Sequence, residues 1–593
     1  MRNRLVSSLE LFIAVIMLST VMASAQTITI QTYQGYDAVA NEVLIKFEQA
    51  APDDALGQAK ISTDVQQAEI SADIDQVQGV GSAGWLLFHS ASRDVPTLMG
   101  MLTGASSVAY VEPNWVQHVA AVPNDPYFPF QWGLQNTGQS VGGIIGTPGA
   151  DIGATSAWNI STGSASVLVG VVDTGIDYTH SDLAANTWSA PLSYSFEQGT
   201  TEYTCPAGSH GWNTLTNSCD PTDDNGHGTE VSGVIGAVGN NGVGVAGVNW
   251  TTTILAAKAC DSQGKCANAN FINALQYMEG VKCYFGGRSG EANIRVLNNS
   301  YGGSPYQQAL YTEIGNVYEA DMLFVAAAGD SGSNNTTPFY PASYSQGNIV
   351  SVAAFDNRDL LASTANNPPD SFSSNYGSTS VHLGAPGVII ETTTLAGFSY
   401  FSGTSAASPF VAGAGALSLS QCLGDTQWLV PNIVNNVVKT SALTGKIITG
   451  GRVNAYNSVY AASQACPGTG DGYLTGTEQS KTIHPGQIIY DQGSVSLTVN
   501  GKTETAFYGQ GSTAYSVGSS LISAINNDST SPVRAHLSFT GITQSYVWVM
   551  LSAKTTGSGT CYTMSASYTY DTTDFKGPSF QLFPTQSALV GCK

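Results

Sequence analysis

The sequence predicts an α/β core, a parallel sheet flanked by helices, with a small α+β segment ahead of it and a β-rich segment behind. Three observations carry this expectation. Val167-Leu168-Val169-Gly170-Val171-Val172 is apolar throughout and rich in β-branched residues, the pattern of a strand buried on both faces. Ile294 to Leu297 and Met322 to Ala328 repeat the pattern further along. A helix opening near Ser405 carries Ala406, Ala407, Ala412, Gly413, Ala414 and Gly415, small residues that allow close packing on a sheet.

At 593 residues the chain exceeds one ordinary core, so two or three domains are expected. Arg2 and Arg4 precede an apolar stretch, Leu11 to Met22, and Ala23-Ser24-Ala25 fits a signal-peptidase site. Residues 1–25 therefore read as a secretory signal, with an uncleaved anchor as the alternative. The stretch is short for a spanning helix, and no second apolar segment of membrane length follows it. Residues 26–122 form a separate small domain. Val43 to Phe47, Trp85 to Phe88 and Val108 to Glu112 read as strands, with a helix from about Ala59 to Val77. The α/β core occupies residues 123–466. After Cys466, Pro467-Gly468-Thr469-Gly470-Asp471-Gly472 reads as a linker. Beyond it, Val495 to Val499 turns at Asn500-Gly501 into Lys502 to Tyr508, a strong hairpin signal. Thr513 to Ile525 has helical spacing, and Ala535 to Phe539, Tyr546 to Leu551 and Tyr562 to Tyr570 continue as strands. Residues 467–593 thus read as a β-rich accessory domain.

Only 10% of residues are charged and the formal net charge is −22, a balance that repels nucleic acid and anionic membranes. Nine cysteines in an exported chain indicate disulfides with one thiol left over. Proximity along the chain pairs Cys205 with Cys219, Cys260 with Cys266, Cys422 with Cys466 and Cys561 with Cys592, leaving Cys283. Sequence alone leaves other pairings open. Residues 189–224, rich in Gly, Ser, Thr and Asn, read as a loop-like insertion.

Three short segments carry the chemistry: Val172-Asp173-Thr174-Gly175, Asn225-Gly226-His227-Gly228-Thr229 and Gly403-Thr404-Ser405-Ala406-Ala407-Ser408-Pro409. Singly each is ambiguous. An Asp at a strand end also caps turns and helices, a His is more often structural, and a first-turn Ser is an ordinary N-cap. Together they supply what a serine nucleophile requires, a base to take its proton and a third group to orient that base. In this order and spacing the three motifs resemble the subtilisin-like serine protease family, and the likeness extends over roughly residues 123 to 465.

The resemblance implies a subtilisin-like fold and a serine endopeptidase with Asp173, His227 and Ser405 as its catalytic groups. It implies further that Ser300-Tyr301-Gly302 pairs with an extended substrate backbone and that Ala342, in Tyr340-Pro341-Ala342, walls a specificity pocket. Asp330 falls where most relatives carry an Asn that donates to the oxyanion. An ionised carboxylate has no proton to give there, so Asp330 must be held neutral, leave the task to the Ser405 amide, or weaken the enzyme. Likeness also assigns Ca²⁺ to Asp125, Asp182, Asn241 and the carbonyls of Gly239, Val243 and Val245, an oxygen-rich set suited to that ion. Residues 26–122 resemble a pro-domain whose uncharged tail, Trp115 to Val122, blocks the cleft until self-cleavage between about Ala120 and Pro123. The expected product is a secreted, monomeric, self-processed endopeptidase of broad specificity. It acts on protein substrates, with its own pro-domain as inhibitor and no nucleic-acid partner. The alternative is a secreted binding or adhesive protein on a disabled protease fold.

Overall fold

The computed structural model describes residues 28–592 except 34–35, 49–54, 82–83, 106, 117–120, 287–291, 304, 335–336, 368–371, 485 and 540–545. The signal segment and residues 117–120 of the pro-domain tail lie outside the described residues. The chain divides after Val119 into two compact units, a few residues before the expected boundary.

In the first unit the long strand Tyr36–Phe47 pairs antiparallel with Ile30–Tyr33, Trp85–His89 and Val108–Trp115, and Gln76–Val80 adds to Trp85–His89. Val43, Ile45 and Phe88 are fully buried with Leu98 of the helix Val95–Leu102. Asp94 caps that helix by accepting from the Thr97 amide. The expected helix over 59–77 runs instead from Ala55 to Ala72. It stops where Asp73 takes φ +54°, and Gln76–Val80 then forms a strand that helical periodicity hid.

The second unit, residues 120–593, is built on a nine-stranded sheet. Its order is Gly211–Asn213, Thr251–Lys258, Gly163–Asp173, Ile294–Asn299, Leu323–Ala327, Ile349–Phe355, Leu383–Pro386, Gly451–Arg452 and Val438–Lys439, parallel throughout except for the last pair. Strands in the middle are buried along their length, as their unbroken apolar runs require. The helix Thr404–Leu419 lies deep in the core; Gly413 has Val248 where a Cβ would be, and Gly415 faces Leu323 and Ile433. Those small residues are what bring the helix so close to the sheet.

The insertion at 189–224 is not a plain loop. Tyr194–Gln198 and Thr201–Cys205 form a hairpin, and Gly211–Asn213 extends the main sheet alongside Thr251–Lys258. Tyr194, Phe196 and Trp212 are buried against the helix Asn268–Phe285, so aromatic burial orders a stretch whose composition reads as loop.

All four expected disulfides are present, and Cys283 is buried outside them. The β-rich C-terminal part belongs to the same compact unit as the sheet. Asn500 and Gly501 take φ +50° and +77°, the turn that Asn-Gly favours, joining Gly493–Val499 to Lys502–Tyr508. Thr513 caps the helix Ala514–Asn527 in a reciprocal box with Ser516. Arg534 seats this region by two bonds, of 2.9 and 3.1 Å, to Asp425, which caps Thr426–Asn435. No helix of the described residues is long and apolar enough to cross a membrane.

Candidate active site

Three neighbouring parallel strands end on one edge of the sheet and deliver its polar groups there. Gly163–Asp173 ends at Asp173, Ile294–Asn299 leads into Ser300, and Leu323–Ala327 leads through Ala328 and Gly329 to Asp330. The carboxyl edge of a parallel sheet is where α/β folds place reactive groups, because strand ends and helix starts converge there.

His227 opens the helix His227–Gly236, and its Nδ1 donates to Asp173 Oδ1 at 2.8 Å. Because the acceptor is a carboxylate, Nδ1 carries a proton in either charge state, and Nε2 of the neutral ring keeps its lone pair. Asp173 Oδ1 also accepts from the Thr174 amide at 2.7 Å, and the carboxylate is buried. Burial alone would lower the His227 imidazole. The charge and hydrogen bond of Asp173, reinforced by Glu230 and Asp223, outweigh it and raise the group above its ordinary value. The ring is 31% exposed, open to the cleft on one face. Glu230, one turn further along the helix, is pushed up to about 7 by burial and by the charges of Asp173 and Asp223, against the pull of His227.

Sequence reasoning missed Asp223. Its carboxylate accepts from Thr174 Oγ1, the amides of Asn225, Gly226 and Thr229, and Thr229 Oγ1, all within 3.0 Å. These bonds hold the carboxyl below its usual range although burial opposes them. Asp223 thereby ties the Asp173 strand to the start of the His227 helix. The readable signal was an acidic residue four positions ahead of His227, with Thr229 beyond. Lys258, opposite Asp173 in the sheet register, was missed as well. Its buried ammonium donates to the Thr174 carbonyl and to Asp224, at 2.6 Å each.

Ser405 lies in the first turn of Thr404–Leu419, where backbone amides have no partner within the helix. Its hydroxyl donates to the Ser300 carbonyl at 3.0 Å. Asp330 Oδ1 accepts from the Thr404 amide at 2.7 Å, one residue before the serine. Atoms crowded around Asp330 raise its carboxyl, while the Thr404 bonds and the charge of His227 lower it, for a net rise that its open face moderates. Asp330 therefore sits beside the residue before Ser405 and within electrostatic reach of His227.

A cavity of about 440 Å³ runs from Asp173, Thr174 and His227 past Ser300, Tyr301, Gly302 and Gly303 to Tyr340, Pro341 and Tyr344. Among the described residues, no backbone hydrogen bond occupies Tyr301 or Gly302, so that edge is open to a pairing chain. Gly303 beyond it is bonded both ways to Tyr340. Ala342 is 2% exposed and packs in the core, and its predecessors Tyr340 and Pro341 face the cavity instead.

Away from the cleft, five of the six residues expected to hold calcium are linked by hydrogen bonds, and Gly239 precedes Asn240 in the same loop. Asp125 accepts from the amides of Asn240 and Asn241, in the loop that follows Gly239. Asp182 Oδ1 accepts from Asn241 Nδ2 at 2.7 Å and Oδ2 from the Val245 amide at 2.9 Å, while Asn241 Oδ1 accepts from the Val243 amide. Both carboxylates are buried, and burial with the nearby charge of Asp125 pushes Asp182 up to about 6. Two buried like charges beside a loop rich in carbonyls suit a hard cation. Among the described residues no cluster of three or more His, Cys, Asp or Glu side chains could hold a metal, so any cage here depends on carbonyl and amide oxygens.

Comparison with known proteins identifies the family. The subtilase family, as a sequence model, matches residues 164–466. The chain is 33% identical to the thermophilic serine proteinase of Bacillus sp. (strain AK1) over 62% of its own length and 76% of the relative's. It is 32% identical to thermitase of Thermoactinomyces vulgaris over 57% of its length and 99% of the relative's. An extracellular protease of Xanthomonas campestris pv. campestris is 30% identical, covering 66% of this chain and 68% of that protein. The chain belongs to the subtilase family and is a subtilisin-like serine endopeptidase.

Proposed function

We propose that Ser405 is the nucleophile, His227 its general base and then general acid, and Asp173 the group that orients the imidazole and stabilises its charged form. The observation that carries this is the 2.8 Å bond from His227 Nδ1 to Asp173, which leaves Nε2 of the neutral ring as a proton acceptor, with Ser300, the partner of the Ser405 hydroxyl, lining the same cavity. An extended peptide pairs with Tyr301 and Gly302 by strand addition. Its entry draws the Ser405 hydroxyl from the Ser300 carbonyl towards the imidazole. Attack on the peptide carbonyl gives a tetrahedral oxyanion that the Ser405 amide and a protonated Asp330 stabilise, and collapse expels the amine, which takes the proton from His227. Water then hydrolyses the acyl-enzyme by the same route.

Among the described residues, Tyr301, Tyr340 and Tyr344 give the cavity an uncharged wall, which supports broad cleavage after uncharged residues. Asp125, Asp182, Asn241 and the carbonyls of Gly239, Val243 and Val245 would hold a structural Ca²⁺, whose charge would stabilise the folded loop. The N-terminal unit acts as an inhibitor removed by self-cleavage, and the enzyme is exported and monomeric.

Fluorophosphonate labelling of the purified protein, with Ser405→Ala as control, tests the triad; wild type must label at Ser405 and the variant must not. Intact-mass analysis of both proteins tests processing. Wild type should lose the residues before about 120–123 and the variant should keep them, whereas equal processing of both would remove the self-cleavage step.

A further inference from the structure

Cys260 and Cys266, one of the four disulfides, both line the cavity that holds His227 and Ser300. On one side, Cys260 ends the Thr251–Lys258 strand region, and the amides of Ala259 and Cys260 donate to the Asp173 carbonyl at 2.7 and 3.2 Å. On the other, Cys266 stands two residues before the helix Asn268–Phe285, whose Asn268 and Phe271 form part of the cleft lining. That helix starts without a capping side chain, since Ala267 occupies the N-cap position. The cross-link thus adds a covalent tie between the chain leading into the helix and the strand end beside Asp173.

Between the two cysteines the loop is held by surface bonds. Asp261 Oδ1 accepts from the amides of Gln263 and Lys265 at 2.9 Å, and Asn225 Nδ2 donates to the Ser262 carbonyl at 3.1 Å. Gly264 also lines the cavity. Phe271 in turn stacks on Tyr301, ring centroids 3.5 Å apart, joining this wall to the edge that would pair with substrate.

We propose that the Cys260–Cys266 disulfide is a specificity-determining element. It fixes the 260–266 loop and the Phe271–Tyr301 pair as a wall for the substrate residues that precede the scissile bond. The cross-link therefore favours long extended peptides over short ones. The inference rests on the protease reading of the site. A disulfide spanning six residues constrains little chain outside its own loop, so its effect falls on the cleft more than on global folding.

The test compares wild type with the double variant Cys260→Ala/Cys266→Ala on a tetrapeptide anilide and on the anilide carrying only its last residue. The expected result is that the ratio of kcat/KM between long and short substrates falls about tenfold, with the change in KM for the long one. If the ratio holds, whether or not both activities drop, the disulfide is only structural and the proposal is overturned. Where the double variant does not fold, the same ratio is measured on folded wild type treated with dithiothreitol and iodoacetamide, with alkylation mapped to Cys260 and Cys266. In that step one dithiol supplies two electrons and two protons, opens the bond to two thiols and leaves as its cyclic disulfide. A folded wild type that does not label at Ser405 defeats the protease reading instead, a result distinct from an unchanged ratio.

Discussion

Ser300 and Ser405 hold each other by two hydrogen bonds: the Ser405 hydroxyl donates to the Ser300 carbonyl, and the Ser300 hydroxyl donates to the Ser405 carbonyl, both at 3.0 Å. The second bond answers a defect in the helix. Pro409, four residues after Ser405, has no N–H to give to the Ser405 carbonyl. Ser300 supplies the missing donor, and Asn298 and Ser408 bond to its hydroxyl in turn, at 2.9 and 2.7 Å.

Replacing Ser300 by Ala should leave that half-buried carbonyl without its donor and cost about 1 kcal/mol. Urea unfolding measures this best in a Ser405→Ala background, where self-digestion is absent. An unchanged midpoint would mean that water or a neighbour satisfies the carbonyl equally well.

Asp330→Asn should extend the pH–rate profile on its alkaline side. The amide donates to the oxyanion at every pH, whereas the carboxyl donates only below its own raised pKa. The alkaline limb should therefore move up, and kcat near neutral pH should rise by up to about 10²-fold. Superimposable profiles for the two proteins would show that Asp330 takes no part in the oxyanion step.

The paired acids at the 239–245 loop tie stability to calcium and pH together. The folded pKa of Asp182 is about 6 against an ordinary value of 3.8, so without a cation the folded state loses stability as pH rises between those values. A shift of that size corresponds to about 3 kcal/mol. Calorimetry should show Ca²⁺ raising Tm strongly at pH 7 and little at pH 4, and Asp182→Asn should abolish the difference. An equal effect of Ca²⁺ in wild type and variant would place the ion elsewhere.

Arg534 is the counter-charge of an almost fully buried carboxylate. Arg534→Met leaves Asp425 without it and should cost about 3–5 kcal/mol. With Arg534 and His536 beside it, Asp425 is held far below the usual carboxylate range despite its burial. This contribution is therefore present above pH 3.8 and is lost as pH falls through the depressed value. Wild type should unfold residues 120–593 in one transition. A variant as stable as wild type would show that the C-terminal part is carried by its other contacts.

Much of this was legible along the chain because local physics sufficed. Asn500-Gly501 selects its turn from two residues, and the runs at 167–172 and 322–328 are buried strands by composition alone. The helix end at Ala72 was not legible, since it depends on Asp73 adopting a positive φ within an otherwise helical pattern. Nor was the hairpin at 194–205, whose order comes from aromatic burial against a helix about 70 residues away.

The sequence by itself singled out the groups proposed to carry the chemistry: Asp173, His227 and Ser405 stand in motifs whose neighbours already suit them to a strand end and two helix starts. Only the tertiary structure decided how those groups are held. The partner of the Ser405 hydroxyl, the contact of Asp330 with the Thr404 amide, and the role of Asp223 and the Cys260–Cys266 loop all depend on parallel strands ending side by side. Ser300 and Ser405 are 105 positions apart, and no local preference encodes a hydrogen bond across that distance. The sheet register and the close approach of a small-residue helix create it.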